Sequence, residues 1–256
     1  MLALERQREI LTALTSQRSV RVADLARQFD VAEETIRRDL DKLESLGKLV
    51  RSHGGAIATL ENEAPHWQRE FLNQAQKEAI ARTAVRLIDE NDTVILDASS
   101  SSWFLARRLP DIPLTIITNS LYVCMALESR EHCRIICLGG AMATTSMSFV
   151  GVATQDALRR YHAGKLFMSC RALDLQRGLS DISDEQSAVR RVMMEVTDRH
   201  VLLIDSSKWG SRALSFIAPI KDVHHVITDS GVSESDCTLL RQQGVEVTVA
   251  DIHPPL

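Results

Sequence analysis

The sequence predicts an α/β protein in which a small helical domain precedes a larger domain built on a mostly parallel sheet. Two patterns support this prediction. Residues 1–58 carry apolar stripes at helical spacing, and the later residues alternate short runs of Val, Ile and Leu with amphipathic stretches. The length of 256 residues also exceeds that of one small domain.

The composition is that of an ordinary globular protein. Hydrophobic residues make up 45% and charged residues 25% of the chain, which excludes general disorder. The longest apolar run, 121–127, is far shorter than the roughly 20 residues of a membrane-spanning helix, and a signal peptide is missing. We therefore predict a soluble, cytoplasmic protein with no membrane partner. The five cysteines predict reduced thiols rather than disulfides or a zinc site.

Three short helices are predicted in the first 46 residues, each from one apolar stripe. The stripes consist of Ile10, Leu11 and Leu14, then Leu25, Ala26 and Phe29, then Ile36, Leu40, Leu43 and Leu46. The break at 30–32 is so short that the second and third helices must turn sharply against each other. This spacing predicts a helix-turn-helix, and residues 48–56 follow it as a wing of two short strands, or of a strand and a turn.

Cations on the third helix and the wing suggest a surface for DNA. From 35 to 53 there are five Lys and Arg against three Asp and Glu, so phosphates can be contacted while the helix start enters the major groove. The candidate contact residues are Glu34, Thr35, Arg37, Arg38, Lys42, Lys48, Arg51 and His53. The alternative is a solvated helix face on which Arg37 and Arg38 pair with Glu34 and Asp41. His53 could also merely support the Gly54 and Gly55 turn.

The periodicity fades between the two domains. Residues 59–75 include Glu61, Asn62, Glu63 and Pro65 and predict a partly ordered linker, so we place the domains at 1–58 and 76–256. In the second domain, strands are predicted at 93–96, 114–117, 134–138, 165–168, 201–204, 226–228 and 245–249. Helical stretches are predicted at 78–88, 155–161, 187–197 and 234–242. Apolar strands joined by helices predict a parallel sheet covered on both faces.

Small and polar residues follow several of these strands, at the sheet edge where α/β proteins bind ligands. Hydroxyls and paired glycines let an anion approach backbone N–H groups, and a lysine adds positive charge. The pattern predicts a site for a small, hydroxyl-rich, phosphorylated ligand. Its candidate residues are Asp97, Ser99, Ser100, Ser101, Asn119, Gly139, Gly140, Asp205 and Lys208. Each has a plainer interpretation: the serines and aspartates as caps, the glycines as a turn, and the lysine as a surface residue. Neither dinucleotide nor triphosphate motifs occur, and we expect no cofactor and no metal.

The N-terminal motifs resemble those of one bacterial family. Ala23-Asp24-Leu25-Ala26, Glu34-Thr35-Ile36-Arg37-Arg38-Asp39-Leu40, Leu43-Glu44 and residues 47–56 are similar to the winged helix-turn-helix of DeoR family transcriptional regulators. In the second domain, Leu96-Asp97-Ala98-Ser99, Ile117-Thr118-Asn119-Ser120, Leu138-Gly139-Gly140 and Ile204-Asp205-Ser206-Ser207-Lys208 resemble the family's sensor domain. The resemblance implies a fold related to ribose-5-phosphate isomerase and the coenzyme A transferases, used as a receptor for a phosphorylated sugar. Residues 97–100 with Trp103, and 169–171, look most like members tied to fucose and other deoxysugar pathways.

The resulting hypothesis is a DNA-binding transcriptional regulator, a repressor of a carbohydrate catabolic operon, whose partners are operator DNA, a phosphorylated sugar and further copies of itself. One alternative is a sugar-phosphate isomerase-like enzyme with an accessory DNA-binding domain, in which Asp97, Asp174, Glu185 or Asp205 supplies a general base. Another is a DNA-binding protein whose second domain serves only for oligomerisation. The expected role is regulation without catalysis.

Overall fold

A computed structural model describes residues 2–17, 19–45, 49–52, 54–57 and 65–252. They divide into two compact units, Met1–Leu72 and Asn73–Leu256. The predicted linker, 59–75, includes residues outside the described ranges, and in its described part lie a short helix and the start of the next one. The limits of 58 and 76 therefore stay a prediction. Among the described residues, no helix combines the length and the apolar character that crossing a membrane requires.

The N-terminal unit is a winged helix-turn-helix. Its helices are α1 (Ala3–Gln17), α2 (Val22–Phe29), α3 (Glu33–Ser45) and α4 (His66–Phe71), and its strands are β1 (Ser19–Arg21), β2 (Val50–Ser52) and β3 (Gly55–Ile57). The strands form an antiparallel sheet in the order β1-β3-β2. The predicted stripes of the three helices pack together in one core with Val20 and Leu49, except Leu46, which lies outside the described residues.

The C-terminal unit is built on a seven-stranded parallel sheet. Its strands are β4 (Thr93–Leu96), β5 (Leu114–Thr118), β6 (Cys133–Cys137), β9 (Ala163–Met168), β12 (Thr197–Leu203), β14 (His225–Asp229) and β15 (Glu246–Ala250). The order is β15-β14-β12-β9-β4-β5-β6. All seven predicted runs are strands of this sheet, which confirms the predicted fold class.

Helices cover both faces of the sheet. They are α5 (Gln74–Ala84), α6 (Ser100–Arg108), α7 (Leu121–Ala126), α8 (Val152–Leu158), α9 (Asp184–Glu195) and α10 (Glu234–Gln242), with single 3-10 turns at Val85–Leu87, Ser206–Lys208 and Ile220–Asp222. Residues of α5, α6 and α7 form one core on one face. Residues of α8, α9 and α10 belong to a second core on the other. The chain therefore changes face between α7 and α8, and the order of the strands reverses between β4 and β9, which are neighbours in the sheet.

Two antiparallel pieces were not predicted from the sequence. One is a hairpin of β7 (Ala141–Ala143) and β8 (Ser148–Val150), and the other is a sheet of β10 (Ala172–Asp174), β11 (Gly178–Asp181) and β13 (Ser215–Ala218) in the order β10-β11-β13. Their strands are three or four residues long, too short to give a clear alternation. Both follow strands of the main sheet along the chain, close to the edge that carries the predicted ligand site.

Candidate DNA-binding and effector sites

The exposed face of α3 carries most of the predicted DNA contacts. Ile36, Leu40 and Leu43 of α3 are buried in the core of the N-terminal unit. The face opposite this stripe exposes Glu34, Arg37, Arg38 and Lys42, while Thr35 is half-buried. The helix-turn-helix thus presents its cations to solvent at the start of α3, where a recognition helix meets base edges.

The arginines of α3 are held only by exposed ion pairs. Arg37 Nη2 lies 2.8 Å from Glu33 Oε2, and Arg38 Nε lies 3.4 Å from Glu34 Oε1. Pairs of this kind contribute about 0–1 kcal/mol, because water and salt screen them. The guanidinium groups can therefore exchange these partners for phosphates at little cost. The predicted DNA surface fits this geometry, and so does the alternative of a face paired with Glu34, but Asp41 pairs with Arg51 and not with these arginines.

A buried ion pair that the sequence reasoning missed fixes the position of α3. Asp39 accepts hydrogen bonds from Arg6 Nε at 2.6 Å and from Gln7 Nε2 at 2.7 Å, and all three side chains are buried. Asp39 lies on the core side of α3, between Ile36 and Leu43. The sequence did contain a signal for this ion pair, because an acidic residue within an apolar stripe is buried and therefore needs a buried partner.

The wing uses one predicted contact residue internally. The Arg51 guanidinium lies 3.2 Å from Asp41 of α3 and donates a hydrogen bond to the carbonyl of Gly55 at 3.3 Å. Its backbone N–H also donates to Glu44, at 2.8 Å. Arg51 therefore ties the wing to α3, and its contact with DNA stays a prediction. Lys48 and His53 lie outside the described residues.

The predicted effector residues meet at the carboxyl edge of the parallel sheet. Asp97 follows β4, Asn119 follows β5, Gly139 follows β6 and Asp205 follows β12. Because the strand order reverses between β4 and β9, the ends of these two strands flank the crevice in which open α/β sheets bind ligands. Ser169 at the end of β9 donates its backbone N–H to Asp97 Oδ2 at 3.2 Å across that point. The sequence predicted Asp97 there but not Ser169.

Asp97 lies at the centre of a buried charge network. Its Oδ2 accepts from Arg190 Nε at 2.8 Å, and Arg190 Nη1 donates to Asp181 at 2.8 Å. Burial alone would raise the pKa of Asp97, but Arg190 and hydrogen bonds from Ser102 and Ser99 lower that pKa below its ordinary value. The carboxylate is therefore ionised and holds the loop in place. Its predicted contact with sugar hydroxyls stays a prediction, and Arg190 was missed because its partners lie far away in sequence.

The predicted serine loop is the beginning of a helix. Ser99 caps α6, since its Oγ accepts from Ser102 N at 3.1 Å and donates to Asp97 Oδ1 at 2.6 Å. Ser100 and Ser101 form the first turn of α6 and are buried. The Oγ of Ser101 is buried without a hydrogen-bond partner. The capping interpretation thus holds for Ser99, while Ser101 keeps an unused hydroxyl beside a helix N-terminus.

Asn119 and the glycine pair belong to the next two strand ends. Asn119 Nδ2 donates to the carbonyl of Phe149 at 2.8 Å, and its buried Oδ1 has no hydrogen-bond partner. Gly139 and Gly140 are exposed, and the Gly139 carbonyl accepts from Thr154 Oγ1 at 2.8 Å. The glycines thus join the edge of the sheet to α8.

Lys208 brings a cation to the end of β9. Its Nζ donates to Ser169 Oγ at 3.0 Å and lies 3.9 Å from Asp205 Oδ2. Burial acts to raise the pKa of Asp205. The net pKa is nevertheless below the ordinary aspartate value, because the carboxylate is stabilised by the charge of Lys208, by a hydrogen bond from Ser207 and by the charge of Lys77. Asp205 also accepts from Asn73 Nδ2 at 2.8 Å, while its buried Oδ2 accepts no hydrogen bond. Asn73 and Lys77 were missed because they precede the first strand of the sheet.

Comparison with protein families decides the relationship. A model described as the DeoR C-terminal sensor domain matches residues 72–230, and one described as the DeoR-like helix-turn-helix domain matches residues 6–61. The chain belongs to the DeoR family. The described units agree with this division, because the helix-turn-helix lies in one unit and the parallel sheet in the other.

Several transcriptional regulators are similar over most of the chain. HTH-type transcriptional regulator YulB of Bacillus subtilis is 41% identical, with 98% of each chain covered. The L-fucose operon activator of Haemophilus influenzae is 33% identical, covering 88% of this chain and 92% of the relative. The putative aga operon transcriptional repressor of Escherichia coli O157:H7 is 34% identical, covering 95% and 92%. This DeoR family chain is therefore a DNA-binding transcriptional regulator.

Among solved structures, ribose 5-phosphate isomerase A of Methanocaldococcus jannaschii is similar in part. It is 16% identical, with a TM-score of 0.41 over 54% of this chain and 55% of the isomerase. The described residues of the DeoR family chain hold no group of three His, Cys, Asp or Glu side chains placed to bind a metal ion.

Proposed function

We propose that the protein represses a carbohydrate catabolic operon and releases its operator when a phosphorylated sugar binds the C-terminal unit. The observation that carries the proposal is the carboxyl edge of the parallel sheet. There, the start of α6 and Lys208 offer an anion site, and Ser101, Asn119 and Asp205 keep buried polar atoms without hydrogen-bond partners. A sugar phosphate has an anion and several hydroxyls, so it can use both features.

The relatives support a sugar operon as the target. One of them is named as an activator of the L-fucose operon and another as a putative repressor of the aga operon. A sensor of a sugar phosphate fits such an operon because the compound reports that the sugar has entered metabolism. We place the protein in the cytoplasm, where bacterial DNA and sugar phosphates meet.

The N-terminal unit would bind DNA through α3 and the wing. We assign Glu34, Thr35, Arg37 and Arg38 to the major groove and Lys42, Lys48, Arg51 and His53 to the backbone. Since this surface is small, one copy would bind weakly and with strong salt dependence. A homo-oligomer that reads two half-sites supplies the missing affinity. To release the operator, the effector need only favour an arrangement of the DNA-binding units whose spacing does not match the half-sites. This requires a coupling free energy between effector binding and DNA binding of about 1–3 kcal/mol.

The charges at the sheet edge favour binding without catalysis. A general base works best when its pKa lies near the working pH. The pKa values of Asp97, Asp174 and Asp205 lie below the ordinary aspartate value, and Asp97 is also fully occupied by Arg190 and serine donors. Three of the four candidate bases are thus poorly suited to accept a proton, which supports a sensor over an isomerase.

Fluorescence anisotropy tests this proposal directly. The full chain is titrated onto DNA from upstream of its own gene, at fixed salt, with ribose 5-phosphate, fructose 6-phosphate, glucosamine 6-phosphate, L-fucose 1-phosphate and inorganic phosphate added in turn. We expect sequence-preferring binding and release by one sugar phosphate. DNA binding that no sugar phosphate changes would overturn the sensor role, and turnover of any of these compounds would favour the isomerase-like alternative.

A further inference from the structure

A hairpin closes over the loop that follows β5. Phe149 N of β8 donates to the Asn119 carbonyl at 2.8 Å, and Leu121 N donates to the carbonyl of Met147 in the hairpin turn at 3.0 Å. Two hairpin serines, Ser146 and Ser148, are fully buried. The β7–β8 hairpin, residues 141–150, is therefore a cover on this part of the sheet edge.

One side chain of α9 connects that helix to the hairpin by two hydrogen bonds. Gln186, in the first turn of α9, is buried, and its Nε2 donates to Ser146 Oγ at 2.9 Å and to Ser148 Oγ at 2.7 Å. An amide nitrogen carries two protons, so both are used in this contact. The two serine hydroxyls are 2.8 Å apart and bond to each other. Gln186 is thus a latch between α9 and the hairpin.

Several buried polar atoms around the latch have no hydrogen-bond partner. They are Asn119 Oδ1 under the hairpin, Ser187 Oγ beside Gln186, and Ser101 Oγ in the first turn of α6. A buried polar atom that lacks a hydrogen bond loses its contact with water and gains nothing in return, so it destabilises the folded state. Unpaired polar atoms on three elements that meet at one sheet edge indicate that a bound molecule supplies the partners.

The chemistry of these atoms selects a hydroxyl. Asn119 Oδ1 only accepts, so the acceptor oxygens of a phosphate or carboxylate cannot satisfy it. No side chain of the set is ionisable, and a charged group buried among them would be unpaired. A hydroxyl both donates and accepts, so it can satisfy Asn119 Oδ1 as well as the serines. The set consists of Asn119, Ser146, Ser148, Gln186 and Ser187, whereas Ser101 belongs to the start of α6.

The hairpin also has the backbone features of a movable element. Gly140 precedes it with φ +150°, and Gly151 follows it with φ +89°. A Cβ at Gly140 would lie 2.8 Å from the Val150 carbonyl oxygen, so no larger residue fits. Hinges commonly absorb their rotation at small residues. Since Ser101 and Asn119 are each only 1% exposed, a ligand reaches them only if a covering element moves.

We propose that the Gln186 set is an uncharged subsite that binds hydroxyl groups of the effector, and that the hairpin opens to admit it. This inference rests on the proposed function as a sugar-phosphate sensor, and it predicts the orientation of the bound sugar phosphate. Its hydroxyl-bearing end lies at Gln186 and Asn119, and its phosphate lies toward Lys208 and the start of α6. Gln186 is then a specificity-determining residue, because it orients both serine hydroxyls.

Hydrogen exchange of the free protein tests the moving hairpin. In Gln186→Ala, we expect amides of 141–150 to exchange at least 10-fold faster than in the wild type, with β4 and β9 unchanged. The matched control is Gln176→Ala, which removes the same side chain from an exposed position and should behave as the wild type. Unchanged exchange in the hairpin, or equal acceleration throughout the C-terminal unit, would overturn the hairpin as a separate moving element.

Ligand selectivity of Gln186→Glu tests the subsite. A carboxylate accepts where the amide nitrogen donates, so it would draw both serine hydroxyls toward itself and away from the hydroxyls of the ligand. We expect the Kd of the best-binding neutral-ring sugar phosphate to rise at least 10-fold, that of glucosamine 6-phosphate to rise less, and that of inorganic phosphate to stay unchanged. Gln176→Glu, which adds the same charge, should change none of them.

The outcomes separate the two proposals. If Gln186→Glu leaves all Kd values unchanged while the wild type binds a sugar phosphate, the subsite is wrong and the sensor stands. If no sugar phosphate binds the wild type, the proposed function fails and the hydroxyl subsite fails with it. The hydrogen-exchange result still decides whether the hairpin opens, because it needs no ligand.

Discussion

Arg37 on α3 and Arg190 on α9 carry the same charge in opposite environments. Arg37 is about half exposed, and its ion pair with Glu33 competes with water. Arg190 is 4% exposed in its side chain, between Asp97 and Asp181. The first side chain is available to a partner, whereas the second is committed to the fold. Charge in the sequence alone does not distinguish them.

Replacing Arg37 with Ala should weaken operator binding and leave the sensor intact. A base-contacting arginine is worth about 1–3 kcal/mol of discrimination, so we expect an affinity loss of roughly 10-fold to 100-fold in anisotropy titrations. Arg241→Ala on α10 removes the same charge from an exposed ion pair of the C-terminal unit and serves as the control. An unchanged operator affinity in Arg37→Ala would remove Arg37 from the interface.

Replacing Lys208 with Ala should preserve operator binding but blunt the response to effector. The ammonium donates to Ser169 and lies 3.9 Å from Asp205, so its loss would leave the phosphate of the effector without that charge. We expect at least 10-fold more sugar phosphate to be needed for DNA release, with partial recovery in Lys208→Arg. Lys221→Ala, at an exposed position, is the control. An unaltered effector response in Lys208→Ala would exclude the assigned role.

At the scale of elements, Arg190 joins three pieces of the C-terminal unit. It lies on α9 and bonds to Asp97, directly after β4, and to Asp181 at the end of β11. The short antiparallel sheet is thereby tied to the carboxyl edge of the parallel sheet. An arginine can do this because its planar guanidinium donates in two directions.

Arg190→Ala should be strongly destabilising. Removing one partner of a buried ion pair typically costs about 3–5 kcal/mol, because the remaining charges stay buried without compensation. Urea unfolding of the C-terminal unit should show this loss. The neighbouring Arg191→Ala should cost about 1 kcal/mol or less, since Arg191 is exposed. Equal effects of the two substitutions would contradict the network.

The elements show how far sequence patterns reach. The strand at 93–96 and the helix at 234–242 were predicted to the residue, because apolar runs bounded by polar turns are local signals. Helix α6 was not among the predicted helices, since its first turn is three serines and gives no apolar stripe. The β7–β8 hairpin was missed because its strands are only three residues long, and its contacts with residues 119–121 are long-range.

The pH dependence of stability belongs to the whole molecule, since its groups lie at both edges of the parallel sheet. Burial lowers the pKa of His225, whose Nε2 bonds to Thr248 Oγ1 at 2.8 Å, and of His224. Because these pKa values are lower in the folded state, the contribution of the two histidines to stability is fully present above the unfolded value of 6.5 and is lost as the pH falls from there through the lower folded pKa. Asp97 and Asp205 also have lowered pKa values in the folded state, so their contribution to stability is lost as the pH falls below the unfolded pKa of 3.8.

We therefore expect the urea midpoint to fall in two steps on acidification, first below about pH 6.5 and again below about pH 4. Urea titrations between pH 7.5 and pH 3 measure both steps. His225→Gln should diminish the first step, whereas His162→Gln, at an exposed position, should leave it unchanged. A midpoint that rises between pH 7 and pH 5.5 would contradict the lowered histidine pKa values.

The sequence by itself determined the helix-turn-helix, the parallel sheet and the family, because apolar periodicity and contiguous motifs are local properties of the chain. It also placed Asp97, Asn119 and Asp205 at one sheet edge, since parallel strands share their carboxyl ends. Only the tertiary structure decided the partners of each polar group. Arg190 meets Asp97 across 93 positions and Gln186 meets Ser148 across 38, and such pairings depend on packing that no local pattern encodes.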